Sequence, residues 1–350
     1  MDNLSHIWSL SDLKTVKKNK LKVMSLFSGA GGSSMGYKLA GLDVVCCVEI
    51  DEKQLDLYKK NLNPEKYYLG DIRDFLKDPM AKSFYDIDIL DASPPCTLFS
   101  NINKTADKYK GVERKFKEGQ KKQTLDDLFF ETIKLVKIIM PKVCIFENVM
   151  GLLQKKNKKY VDKIINQLND IGYSVAVEGL CAMDFGVPQI RKRVFFIALR
   201  NDINCKQRDL VGTPIFQFKK YKHIKWGEIE ESDGHRPLTK YMLDLWLKRK
   251  PTDRTFQCIM IRQGKLNSLF GTTLLKKNNV APTITARNSH VLYDQPRSMN
   301  DTELIKCASF PFDYDFANTS PVYSIGMCVP PLMMARMVND LMKQIQLEAV

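Results

Sequence analysis

Leu21-Lys22-Val23-Met24-Ser25-Leu26-Phe27-Ser28-Gly29-Ala30-Gly31-Gly32 is an apolar run that empties into a glycine-rich turn. The run suits a strand buried on both faces of a parallel sheet. The glycines let the backbone approach a ligand closely, and the helical stretch that follows, through Leu39, opens with unpaired N–H groups. Strand, glycine turn and helix make the first crossover of a nucleotide-type α/β fold. The spacing is not Gly-x-Gly-x-x-Gly, so a dinucleotide is not specified.

The chain beyond this turn extends the sheet. Residues 43–48 read as a second strand closing in Glu49-Ile50-Asp51. An acid about 20 positions after the glycine turn is placed for a ribose hydroxyl pair. It is equally suited to capping a helix that starts near Asp51. A third strand, 66–69, ends in Gly70-Asp71-Ile72, with Asp71 at the same edge, where a carboxylate can accept from an adenine amino group. Three such strand ends describe an adenosine site without choosing the cofactor.

The fourth run, Ile87-Asp88-Ile89-Leu90-Asp91-Ala92, leads into Ser93-Pro94-Pro95-Cys96. Two prolines stop the ladder and leave a cysteine at the C-terminal edge, where open α/β sheets bind ligands. A lone cysteine is commonly a structural thiol, but this one is presented by a fixed backbone. Residues 101–123 are polar and lysine-rich, as a mobile loop beside a site would be. A helix over 124–140 precedes a strand, 142–146, that delivers Glu147-Asn148-Val149. Glu147 is a candidate proton donor or orienting group, or a solvated strand-end acid. After a helix over 160–171, residues 173–181 and 193–199 read as paired strands. Arg191 and Arg193 are spaced to point the same way and suit planar, oxygen-bearing partners.

At 350 residues the chain suits one large domain plus a smaller one. Composition changes near Asn201, where Phe216-Gln217-Phe218-Lys219-Lys220-Tyr221-Lys222 interleaves cations with aromatics. Such interleaving fits a nucleic-acid face, although a small β-rich domain with a solvated rim would look similar. The expected division is residues 1–200 with an N-terminal arm at 1–20 (a short helix or a loose segment), then 201–285, then 286–350 ending in an amphipathic helix from Leu332. A net charge of +14 points to a polyanionic partner. Nine cysteines without a Cys-x-x-Cys pair suit a reducing compartment and argue against structural zinc or a disulfide frame. No apolar stretch reaches the roughly 18 to 20 residues of a membrane span, and no apolar leader opens the chain, so a cytoplasmic protein is expected.

Taken in order, these blocks resemble the cytosine-C5 DNA methyltransferases of bacterial restriction–modification systems. The segment 27–32 resembles their methyl-donor turn, and Gly70-Asp71-Ile72, Ser93-Pro94-Pro95-Cys96 and Glu147-Asn148-Val149 follow in register. Gln189-Ile190-Arg191-Lys192-Arg193 resembles the Gln-x-Arg-x-Arg block, and Thr283-Ile284-Thr285, Arg297 and Phe310-Pro311 resemble the return into the core. The resemblance implies a Rossmann-like catalytic domain that uses S-adenosylmethionine and no metal. It also implies a smaller, irregular, β-rich target-recognition domain near 201–285. The donor would sit over Phe27, Ser28, Gly29, Ala30, Gly31 and Gly32, with Glu49 and Ile50 at the ribose, Asp71 and Ile72 at the adenine, and Pro94 beside them. Cys96 would be the nucleophile, Glu147 would hold the cytosine edge, and Arg191 and Arg193 would line the pocket. The implied partner is double-stranded DNA with its target base flipped out, met by a monomer of bacterial or phage origin with a companion restriction endonuclease. A tRNA cytosine-C5 methyltransferase of the same fold is the alternative. Two positions depart from the family pattern: Thr97 stands for its usual Gln, and Met327 for its usual Asn.

Overall fold

The computed structural model describes residues 4–95, 127–232, 236–265, 272–286, 290–317 and 319–347. Cys96, Thr97 and the basic segment 101–123 lie outside the described residues. The first half alternates strand and helix: β1 (Lys22–Leu26), α1 (Gly32–Leu39), β2 (Asp43–Glu49), α2 (Glu52–Leu62), β3 (Lys66–Leu69), α3 (Ile72–Phe75), β4 (Ile89–Ala92), α4 (Leu128–Ile139), β5 (Val143–Val149), α5 (Lys158–Asp170) and β6 (Tyr173–Cys181). Two further strands follow, β7 (Gln189–Ile190) and β8 (Lys192–Arg200). The main sheet has the order β3-β2-β1-β4-β5-β8-β6. β1 to β5 are parallel, and β8 runs antiparallel to both of its neighbours.

The central strands β1, β4, β5 and β8 are apolar on both faces because both faces are covered, as the middle of such a sheet requires. Val23, Ile89, Ile145 and Ile197 point into one cluster, and Met24, Leu90, Phe146 and Phe196 into the other. The alternation is the two-residue period of extended chain. On the first face lies α10 (Pro331–Met342), whose Leu332, Met333, Met337, Val338 and Leu341 are fully buried. It packs against α1 at close range. A Cβ at Gly36 would lie 2.5 Å from the Met334 Cβ and 2.6 Å from the Pro331 carbonyl. The C-terminal helix therefore belongs to the same core as the glycine turn.

The N-terminal segment is clasped by the chain's other end. Trp8 is buried, its Nε1 donates to the Ser309 carbonyl at 2.8 Å, and Phe312 N donates to the Trp8 carbonyl at 2.9 Å. Of the two readings of this arm, the short helix is the closer: a tight turn covers Leu10–Lys14.

Residues 201–285 differ from the β-rich expectation. Among the described residues they hold two helices, α6 (Lys240–Leu247) and α7 (Phe256–Arg262), against strands β9 (Thr273–Leu275) and β10 (Ala281–Pro282). The reason is local. Thr239 and Thr255 cap the helices by accepting from the N–H of Met242 and Cys258. Met242, Leu245 and Trp246, then Phe256, Ile259 and Met260, carry apolar groups at helical spacing. Together with Leu274 and with Val291 of β11 (His290–Leu292) they form a separate small core. Upstream, Ile203 and Phe216 pack into the main core, and Trp226 and Ile229 into a third cluster beside α1 and α2.

Gly36→Ala should push α1 from α10 and cost about 1–3 kcal/mol, the usual penalty for overpacking a filled interior. Differential scanning calorimetry should then show a lower Tm. An unchanged or higher Tm would mean that the contact yields, leaving only alanine's helix preference.

Candidate active site

The order of the strands reverses between β1 and β4, and such a switch point opens a crevice at the strands' C-terminal ends. A cavity of about 290 Å³ lies there. Phe27, Gly29, Glu49, Ile50, Asp71, Ile72, Pro94, Pro95, Glu147, Arg191 and Arg193 line it, with Tyr323 and Met327 of α9 (Pro321–Met327) closing one side. Ser28, Ala30, Gly31 and Gly32 shape the turn without lining the cavity. Cys96 follows Pro95 directly in the sequence but lies outside the described residues.

The glycine turn is left-handed at three alternate positions, Phe27, Gly29 and Gly31, with φ of 54, 50 and 84°. Glu49 fixes its shape. One carboxylate oxygen accepts from Gly29 N at 2.7 Å, and the other accepts from Ile50 N and Asp51 N, both at 2.9 Å. Burial pushes the Glu49 carboxyl above the ordinary carboxylate range, while these N–H groups pull the other way. The cap of α2 is Asp51, which accepts from Lys53 N and Gln54 N. Glu49 is thus free of that task and faces the cavity. Asp71 caps α3 through Arg73 N and pairs with the Arg73 guanidinium at 2.8 Å, which also pairs with Asp127.

At the opposite wall, Arg193 Nε meets Glu147 Oε1 at 2.8 Å. Both side chains are largely buried, at 15 and 12% exposure, so the pair is weakly screened. Asn148 Nδ2 donates to the Pro94 carbonyl at 3.2 Å, joining the end of β5 to the Pro-Pro segment. Arg191 is buried, and its two terminal nitrogens donate to the carbonyls of Ile284 and Gly326 at 2.9 and 3.0 Å. Gln189 accepts from Ile284 N, and β7 pairs with β10. The arginine block therefore grips the chain as it re-enters the core.

Sequence reasoning passed over several groups at this site. Tyr323 is one of them, and it shares a wall with Met327, four residues on along α9, the position that departs from the family pattern. Asp91 lies in β4 beside Ser25 of β1, fully buried, and accepts from Ser25 Oγ at 3.1 Å and Tyr37 OH at 3.3 Å. Burial pushes its carboxyl up to about 7 against the pull of these hydroxyls, and the nearby Glu147 charge adds to the rise. Two thiols flank the glycine turn. Burial lifts Cys47 to about 12 and lifts Cys328 as well.

A carboxylate-rimmed, largely apolar cleft suits a ligand with an aromatic base, vicinal hydroxyls and a positive charge, so the donor set fits an adenosylated sulfonium. Among the described residues, no group of three or more His, Cys, Asp or Glu could hold a metal ion. No helix among them is long and apolar enough to cross a membrane.

Comparison with known proteins gives the family and the fold. The profile of the family described as C-5 cytosine-specific DNA methylase matches residues 21–343. Type II methyltransferase M.FnuDI of Fusobacterium nucleatum is 31% identical over 260 residues, covering 74% of this chain and 67% of its own length. Type II methyltransferase M1.HphI of Haemophilus parahaemolyticus is 26% identical over 345 residues, covering 92 and 87%. Among solved structures, a Spodoptera frugiperda DNMT2 mutant superposes with a TM-score of 0.66 at 17% identity, covering 92% of this chain and 99% of its own. The Entamoeba histolytica methyltransferase EhMeth gives 0.65 at 16%, covering 93 and 99%. At such identities these two likenesses speak to the fold.

Asp91 makes stability depend on pH. The folded protein keeps its proton up to about pH 7, whereas the unfolded chain releases it near pH 4. Between those limits the unfolded state binds fewer protons, so stability falls by up to about 1.4 kcal/mol per pH unit and levels off above. Asp91→Asn should remove this slope, so urea midpoints should show the variant gaining on the wild type between pH 5 and pH 8. An equal difference at both pH values would mean that Asp91 does not titrate in this window.

Proposed function

The chain belongs to the C-5 cytosine-specific DNA methylase family, and from that premise we propose how this DNA cytosine-C5 methyltransferase works: it acts on a cytosine turned out of duplex DNA, through a covalent adduct at Cys96. The carrying observation is the Glu147–Arg193 pair at 2.8 Å, facing the same cavity as the Pro94–Pro95 segment that immediately precedes Cys96 in the sequence. S-adenosylmethionine, when bound, supplies an electrophilic methyl on a sulfonium. Phe27, Ile50 and Ile72 would hold its base between apolar walls, with Glu49 at the hydroxyls and Asp71 at the amino edge.

Carbon 5 of cytosine is a weak nucleophile. Addition of the Cys96 thiolate to carbon 6 makes it enamine-like, and the ring must accept negative charge as that bond forms. Glu147 relieves the charge by holding a proton toward ring N3 and accepting from the exocyclic amine. Arg193, which already orients that carboxyl, adds a positive charge beside the O2 edge. Once carbon 5 has taken the methyl group, its hydrogen leaves as a proton to a base, and the electron pair left behind re-forms the C5–C6 double bond and expels the thiolate. The base must leave the helical stack for any of these groups to reach it.

Residues 201–285 would choose the sequence, with the small core built around α6 and α7 as a framework for the reading surface. The Type II names of the relatives favour a chain that works beside a restriction endonuclease of the same sequence preference. Parallel assays on duplex DNA and tRNA separate this reading from the tRNA alternative.

The covalent step has a direct test. With 5-fluorocytosine at the target, the fluorine cannot leave as F⁺, so the thioether should persist. A denaturation-resistant complex should form only with S-adenosylmethionine present, and the crosslinked peptide should contain Cys96. Crosslinking at Cys144 or Cys181, or trapping by Cys96→Ala, would sink the mechanism. A chimera carrying a relative's equivalent of 201–285 should methylate a different sequence with nearly the same cofactor affinity; retention of the original site would move recognition elsewhere.

A further inference from the structure

Beyond Val149, at the edge of the cavity, the chain makes two tight turns, Met150–Leu153 and Lys155–Asn157, before α5 begins. Leu152 is fully buried, and Asn157 Nδ2 and Gln154 N both donate to the Gly151 carbonyl, at 2.8 and 3.2 Å. The turns are therefore fixed to the core. On them and on the start of α5 stand Lys155, Lys156, Lys158 and Lys159, all exposed. Lys158 pairs with Asp162 at 2.6 Å. Among the described residues no carboxylate pairs with Lys155, Lys156 or Lys159.

This placement costs stability. α5 has no acid in its first turn and no base in its last, and it ends on Asp170. That reverses the order the helix dipole favours. A face that needed only to be solvated would carry its lysines at lower cost elsewhere. Local rules broken without local compensation mark surfaces shaped by a partner.

We propose that Lys155, Lys156 and Lys159 form a phosphate-backbone contact for duplex DNA on the catalytic side of the target base. It is separate from residues 201–285 and indifferent to sequence. The inference rests on the functional reading above. The patch follows directly on β5, whose Glu147 and Val149 line the cavity, so it leaves from the same edge of the sheet, where a duplex whose cytosine enters the cavity would approach. An ammonium group is a compact point charge, which suits a phosphate oxygen and carries no base readout.

The test is a triple variant, K155Q/K156Q/K159Q, with binding to cognate and unrelated duplexes measured across salt concentrations. Each phosphate contact contributes about 0.9 to the slope of log affinity against log salt, so three lost contacts should flatten the slope by roughly two to three. The loss should be equal on both duplexes, and K155R/K156R/K159R should restore the wild-type slope. An unchanged slope in the glutamine variant, a loss confined to the cognate duplex, or failure of the arginine variant to restore it would overturn the proposal. Wild-type protein without salt-dependent duplex binding would instead strike at the functional reading itself, whatever the variants do.

Discussion

The antiparallel pairing of β5 with β8 is the constraint from which the site follows. Val149 lies opposite Arg193 and Glu147 opposite Phe195, so Glu147 and Arg193 are diagonal neighbours on one face of the pair. Every other strand in the sheet runs with β5, and a β8 turned that way would carry Arg193 to the far edge. The reversal puts the guanidinium 2.8 Å from the carboxylate and starts β8 directly after the segment that grips Ile284 and Gly326. One strand direction thus sets this wall of the cavity and the anchor of the returning chain.

Burial on both faces gives that wall its rigidity, and it also explains the state of Asp91, a carboxylate held inside the sheet. Asp91 has no solvent to turn to, so its charge is opposed by its surroundings and its hydrogen bonds come from Ser25 and Tyr37. Tyr37 belongs to α1 and Ser25 to β1, so a single side chain links the crossover helix, its strand and the strand that leads to Pro94-Pro95. Glu49 does the same for the glycine turn from β2.

Much of this was legible in the sequence, for reasons that are local. The strand 66–69 falls where the sequence reading puts it, and the strand ends bearing Glu49, Asp71 and Glu147 face one cavity because parallel strands share an edge. The insertion of β8 between β5 and β6 was not legible, since neighbour and direction are set by pairing over long range. Nor was the helical character of 240–262: exposed Tyr241, Leu247 and Ile261 blur the apolar stripe, and the threonine caps are easily taken for loop polarity. Asp91 was written among apolar neighbours, yet its burial as an acid depends on hydroxyls contributed by other elements.

The fate of the cysteines has a consequence for chemical self-protection. A protein that handles an activated alkyl group carries its own thiols within reach of it, and only the ionised form attacks readily. Cys47 and Cys328, on either side of the glycine turn, are held protonated by burial, as are Cys46, Cys144 and Cys307 farther away. The same close packing that shapes the cleft therefore keeps these sulfurs from being alkylated in place of the substrate.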